Sequence, residues 1–202
     1  MPRSLPLLLT CAFALVLAGC DRESAQPAQP QENSSAQNNA AAAKLEGAGE
    51  LAGKVDRSFA GQAIPAFTVS DTAGRQIALP DTKGKPVLLN LWATWCGPCV
   101  LEMPKLDELA GELGSAVAVM TISEDMNGAD KVKAFFAEHK FGHLPQWMDP
   151  KNDLAIAYGG GAALPLTVLY DAKGKEVWRI MGGYDWSTAE ARELVAEAAT
   201  GQ

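Results

Sequence analysis

Two cysteines separated by two residues, in Trp95-Cys96-Gly97-Pro98-Cys99, are the residues of this chain best suited to chemistry. Such a pair can cycle between dithiol and disulfide, or it can supply half of a tetrahedral zinc site. For zinc, His139 and His143 would have to complete the ligand set. Yet His139 lies much further from Cys99 than compact finger spacing allows, and it falls on the apolar face of a helix. The two histidines read better as a half-buried helix residue and a loop residue, so no metal is expected. The redox reading accounts for more of the local sequence. At a helix N-terminus, unpaired backbone N–H groups and the helix dipole stabilise a thiolate. Cys96 sits at that end as the exposed attacker. Cys99, one turn in, is shielded and placed to resolve a mixed disulfide. Pro98 has no N–H to leave unpaired in the first turn and arrives with a helical φ.

The elements that must position this pair follow from periodicity. Val87 to Trp92 is a continuous apolar run, as expected for a strand covered on both faces. A helix follows from about Cys96 to Leu113, then a second buried strand at Val117–Ile122. Upstream, Ala66–Val69 and Gln76–Leu79 read as short strands around the turn Asp71-Thr72-Ala73-Gly74. Downstream, Asn127 and Asp130 can cap a helix whose Val132, Phe135, Phe136 and His139 share one face. A strand near Gln146–Met148, a short helix over Asp153–Tyr158 and a hairpin of Leu166–Tyr170 with Glu176–Met181 come next. Ser187 with Glu190 makes a capping box for a last helix to about Ala199. Strands alternating with helices, then a hairpin and a closing helix, describe one α/β domain with a mixed sheet, spanning residues 58–202.

The 202 residues are 48% hydrophobic and carry a net charge of −7. That balance excludes nucleic acid as a partner, because no basic stripe exists to release phosphate counterions. Arg3, the apolar stretch Leu5 to Leu17 and Leu17-Ala18-Gly19-Cys20 resemble a bacterial lipoprotein signal. The resemblance implies a signal peptide over residues 1–19 and a lipid on Cys20, the new N-terminus. The rival, an uncleaved anchor, has about 15 apolar residues where a spanning helix needs ~20. Asp21 resembles an inner-membrane retention signal, which implies the periplasmic face of the inner membrane of a bacterial cell envelope. Cleavage also removes Cys11, leaving Cys20 for lipid and the Cys96/Cys99 pair for chemistry. Residues 20–57, rich in Ala, Gln, Asn, Ser, Pro and Glu, cannot bury enough surface to order themselves and read as a flexible tether. As a coil it would span roughly 30–37 Å.

W-C-G-P-C is the active-site motif of thioredoxins, and the element order from Ser58 to Ala199 resembles the thioredoxin-like superfamily. The resemblance implies a mixed central sheet flanked by helices, with an N-terminal strand extension and a central insertion. Pro104 matches the proline inside the family's active-site helix, and Leu164-Pro165 matches its cis-proline, which lies against the disulfide. Several features resemble the membrane-tethered TlpA/ResA-type subgroup more closely. Asn90 stands where ordinary thioredoxins carry a buried aspartate, and Cys99-Val100-Leu101-Glu102-Met103-Pro104 matches the subgroup's C-x-x-E-[LMF]-P. Gly182-Gly183-Tyr184-Asp185-Trp186-Ser187 looks like its characteristic ending.

What the resemblance implies is a thiol–disulfide oxidoreductase that needs no cofactor beyond its redox-active disulfide. It would keep cysteine pairs of extracytoplasmic clients reduced, of the apocytochrome c or cytochrome oxidase copper-site type, and take electrons from a membrane donor of DsbD/CcdA type. Cys96, Cys99, Glu102 and Pro165 are its catalytic residues. Trp95, Gly97, Pro98 and Leu164 are its client-contacting ones, with Trp95 also a lid over the disulfide and Trp92 in the core. Glu102, an i, i+3 neighbour of Cys99, is the group expected to tune the site and move its proton. The Gly97-Pro98 dipeptide is more like general thioredoxin than some of these specialists.

Rival readings remain open. A thiol peroxidase would need P-x-x-x-[ST]-x-x-C, and Leu89 and Ala93 occupy those positions. A copper-delivery protein of the Sco type would need C-x-x-x-C with a distant histidine. A periplasmic dithiol oxidase of DsbA type differs only in redox direction and is the nearest alternative.

Overall fold

The computed structural model describes residues 51–126, 128–159 and 163–200. The expected signal peptide, Cys20, Asn127 and most of the expected tether lie outside the described residues. The strands are β1 (Lys54–Asp56), β2 (Thr68–Asp71), β3 (Gln76–Ala78), β4 (Val87–Trp92), β5 (Ala118–Ser123), β6 (Trp147–Met148), β7 (Leu166–Tyr170) and β8 (Glu176–Met181). The helices are α1 (Gly97–Leu113), α2 (Ala129–His139), α3 (Asp153–Ala157) and α4 (Ala189–Thr200). A 3-10 turn covers Leu79–Thr82.

All eight strands join one sheet in the order β1-β8-β7-β4-β5-β6-β2-β3. The apolar run β4 lies at its centre, parallel to β5 and antiparallel to β7. Every residue of β4 is buried. Its side chains alternate between two cores, as a strand's period of two requires. Leu88 and Trp92 join the cluster built from Met103, Leu106 and Leu109 of α1, Val132 and Phe136 of α2, and Leu194 and Val195 of α4. Val87, Leu89 and Leu91 join the opposite cluster with Ile64, Val69 and Leu154. The sheet is therefore mixed and covered on both faces, as the pattern of elements predicts, and the thioredoxin-like architecture is the observed one. Because β4 ends in the middle of the sheet, the loop after it and the first turn of α1 emerge at one rim of the domain.

Three details differ from the sequence reading. Residues 54–56, placed by composition in the tether, form β1 and pair with Arg179, Ile180 and Met181 of β8, so the ordered domain reaches back before residue 58. Its pairing is made by the backbone, which needs no apolar run. The cap of α4 is Thr188, whose Oγ1 accepts from Ala191 N at 3.1 Å, while the Ser187 hydroxyl donates to Asp185 at 2.6 Å instead. At α2 the N-cap is Gly128, with Asp130 inside the first turn rather than capping it. Among the described residues, no helix is long and apolar enough to cross a membrane.

Candidate active site

Cys96 is the N-cap of α1, in extended conformation, and its Sγ accepts from the Cys99 backbone N–H at 3.3 Å. The two sulfurs are bonded in a disulfide. Cys96 is 6% exposed and Cys99 not at all. The expected exposed attacker is thus nearly covered in the oxidised state, yet it is the one of the pair that keeps any exposure. Pro98 stands in the first turn, where its missing N–H costs no hydrogen bond.

One turn beyond Cys99, Glu102 is fully buried. Its Oε1 accepts from Asn90 Nδ2 at 2.8 Å and its Oε2 from the Tyr184 backbone N–H at 2.8 Å. The second Asn90 amide proton goes to Thr167 Oγ1 at 2.9 Å. Burial raises the Glu102 carboxyl to about 7, against the partial relief of these two donors. The Trp186 indole N–H, which closes no full hydrogen bond among the described residues, adds a weaker pull in the same direction as the donors. A buried acid held near neutrality can exist in either protonation state at working pH, which is what a proton acceptor for a shielded thiol requires.

The Leu164–Pro165 peptide is cis, and the Pro165 carbonyl accepts from Gly182 N at 2.9 Å. Leu164 is half-buried against both cores. Gly97 and Pro98 are half-buried as well, whereas Trp95 is 67% exposed. Its indole is largely open to solvent, an exposure that suits a contact surface. Trp92, by contrast, is buried and packs on Phe135 and Phe136 at centroid distances of 5.0 and 5.8 Å. His139 is engaged by Phe135 and Phe141, and its Nδ1 lies 2.9 Å from the Phe135 carbonyl oxygen.

Sequence reasoning missed three contributors. Thr167 and the Tyr184 N–H complete the polar cluster on Asn90 and Glu102. Asp125, also buried, accepts from Thr94 N at 2.8 Å and Thr94 Oγ1 at 2.7 Å, tying the loop before Cys96 to the end of β5. The position of Asp125 just past a buried strand was visible; its partner was not.

A buried β–helix junction carrying a cysteine pair, a cis-proline loop and a buried carboxylate defines a thiol–disulfide oxidoreductase on a thioredoxin-like fold. The chain belongs to the AhpC/TSA family, whose profile matches residues 60–178. It is 38% identical over 123 residues to the thiol-disulfide oxidoreductase ResA of Bacillus thuringiensis, covering 60% of this chain and 69% of that one. Among solved structures it is similar to the exposed lipoprotein thioredoxin of Streptococcus pneumoniae, at 27% identity and a TM-score of 0.56, covering 65% of this chain and 98% of the other. StoA of Bacillus subtilis, at 24% identity and a TM-score of 0.54 over 68% of this chain and 99% of that one, shares the fold. The enzyme is a thiol–disulfide oxidoreductase of the ResA type.

Proposed function

We propose that the protein reduces disulfides of extracytoplasmic client proteins through Cys96 and Cys99. The Cys96 thiolate, favoured by the N-terminus of α1, attacks one client sulfur, forming a mixed disulfide and releasing the other client sulfur as thiolate. Cys99 then gives its proton to Glu102 and attacks Cys96 Sγ. Glu102 passes that proton to the departing client sulfur and solvent protonates the other, so the client leaves as a dithiol with two electrons and two protons gained, and the Cys96–Cys99 disulfide is formed. A membrane donor of DsbD/CcdA type returns the electrons. The observation that carries this reading is Glu102, fully buried one turn from a fully buried Cys99 and held near neutrality.

Direction is supported by the resemblance of residues 99–104 to the TlpA/ResA-type motif, which implies clients kept reduced, and by the thioredoxin-like Gly97-Pro98 dipeptide. Equilibration of the pair with glutathione tests it. A potential near that of thioredoxin, about −270 mV, supports the reductase; one near that of DsbA, about −120 mV, supports the oxidase instead. The clients that this chemistry suits are proteins with cysteine pairs awaiting a cofactor, as in apocytochrome c or the copper site of cytochrome oxidase.

The sequence around Cys20 supports a lipid anchor, as does likeness to a structure described as an exposed lipoprotein, and Asp21 supports the periplasmic face of the inner membrane as its place. Cys20→Ala should then release the protein from membranes and abolish incorporation of labelled fatty acid. Retention on membranes without acylation of the parent would speak for an uncleaved anchor.

A further inference from the structure

The loop after β8 reaches the cis-proline, the buried acid and the active-site motif. Gly182 N donates to the Pro165 carbonyl and Tyr184 N to the Glu102 carboxylate. Next to Tyr184, Asp185 pairs with Lys105 of α1 at 2.9 Å. Between Gly182 and Tyr184, Gly183 is hemmed in on two sides. A methyl group built on it would stand 3.3 Å from Pro98 Cβ, within the active-site motif, and 2.6 Å from Leu51 Cδ2. Leu51 belongs to the segment by which the chain enters the domain.

That segment closes on the loop in a second way. Gly53 N donates to the Gly183 carbonyl at 2.8 Å, extending the β1–β8 ladder beyond its last pair, Lys54 with Met181. The approach is so close that a methyl group on Gly53 would lie 2.7 Å from the Gly182 oxygen and 2.9 Å from the Gly183 oxygen. Backbone atoms at that distance must move. Gly182 itself has a φ of 89°, in the region that favours glycine, so the loop's path is set for this close contact.

We infer that Leu51–Gly53 is a positioning element of the active site, a clamp that presses the Gly182–Tyr184 loop onto Pro98 and keeps the Tyr184 N–H on Glu102. The inference deepens the proposed function and rests on Glu102 being the proton acceptor. Loosening the clamp withdraws a donor that favours the carboxylate, so Glu102 should hold its proton to higher pH. The groups acting on Glu102 are Asn90 from β4 and the Tyr184 N–H and Trp186 indole from the loop, with Cys99 one turn before it on its own helix. Lys105 of α1 and Asp185 of the loop are paired with each other.

The test uses the full-length protein with Gly53→Ala, Leu51→Ala and Leu51→Met. Two readouts separate the clamp from the acid. Hydrogen exchange at the Tyr184 amide reports the clamp directly and should quicken about tenfold in the two alanine variants, with Leu51→Met restoring it. The pH profile of single-turnover resolution reports its consequence. The limb on which the rate falls with acid should move up by about one pH unit in Gly53→Ala. In a Glu102→Gln background the same substitution should move nothing. Unchanged Tyr184 exchange in both alanine variants overturns the clamp. So does a limb that stays in place while Glu102→Gln abolishes it. If Glu102→Gln leaves the limb intact, the proton-acceptor reading itself fails, whatever Tyr184 does, and the clamp's role in catalysis falls with it.

Discussion

The Asn90 side-chain amide donates to the Glu102 carboxylate at 2.8 Å, across the interface between the central strand and the active-site helix. The buried polar group on β4 is thus a neutral donor, and the acid has been placed on α1. A carboxylate near the pair opposes a second negative charge on the thiols, while the helix N-terminus favours it. Glu102→Gln should therefore lower the apparent thiol pKa. It should also slow resolution of the mixed disulfide by about a hundredfold, since Gln cannot accept the Cys99 proton. Thiolate absorbance against pH and single-turnover reduction of a model disulfide measure the two effects. The titration belongs to the coupled site, not to one residue. If neither changes, Glu102 is a structural acid and another group tunes the site.

A second buried acid gives a stability prediction with a definite sign. Glu124, at the end of β5, is raised to about 8 by burial and then by the charges of Asp149 and Asp153, against a bond from Asn152. Its Oε1 has no hydrogen-bond partner among the described residues. In the unfolded chain the carboxyl loses its proton near 4.5, whereas the folded protein keeps it up to about 8. Between those pH values the folded state binds more protons, so stability is full below about 4.5 and is lost as pH rises towards 8. Glu102 adds loss of the same sign between 4.5 and about 7. Denaturant unfolding of the oxidised protein should show this decline, and Glu124→Gln should flatten its upper half, gaining roughly 2–4 kcal/mol at pH 8. A parent whose stability is flat from pH 5 to 8 would contradict it.

How much of this could be read in the chain depends on the kind of contact. β4 was legible because an unbroken apolar run needs cover on both faces, and the cysteine pair because its motif follows that run. Glu102 could be placed near Cys99 because helical spacing alone does so. The donor on its other oxygen could not. Tyr184 N–H lies 82 residues away and is a backbone group, which carries no residue-type signal. β1 was hidden for the same reason: Lys54-Val55-Asp56 is held by main-chain pairing in a stretch that composition makes look like linker. At α4 two adjacent hydroxyls competed for one cap, and Ser187 was taken by Asp185.

The two tryptophans flanking the active-site loop should behave oppositely. Trp92 is buried beneath Phe135 and Phe136, so Trp92→Ala should cost about 3–5 kcal/mol of stability. Trp95 is 67% exposed, and Trp95→Ala should leave stability within about 0.5 kcal/mol of the parent. Its effect should appear as weaker engagement of a protein client, with reduction of a small disulfide such as oxidised glutathione little changed. Equal losses on both substrates would place Trp95 in the chemistry and remove it from the contact surface.

The cysteines should divide their labour in the order their burial sets. Cys96 keeps 6% exposure and the helix N-terminus beside it, while Cys99 has none and lies one helical turn before Glu102. In Cys99→Ser, attack survives and resolution fails, so clients should accumulate as mixed disulfides through Cys96. In Cys96→Ser the remaining thiol is covered and should trap at least tenfold less, a ratio set by access and by thiolate fraction together. Non-reducing gels with mass spectrometry of the linked peptides would read both. Equal trapping by the two variants would reverse or abolish the assignment of attacker and resolver. The identities of the trapped proteins carry a further decision. Proteins whose cysteine pairs bind haem or copper fit the reductase, whereas a catch dominated by secreted proteins with structural disulfides would fit an oxidase.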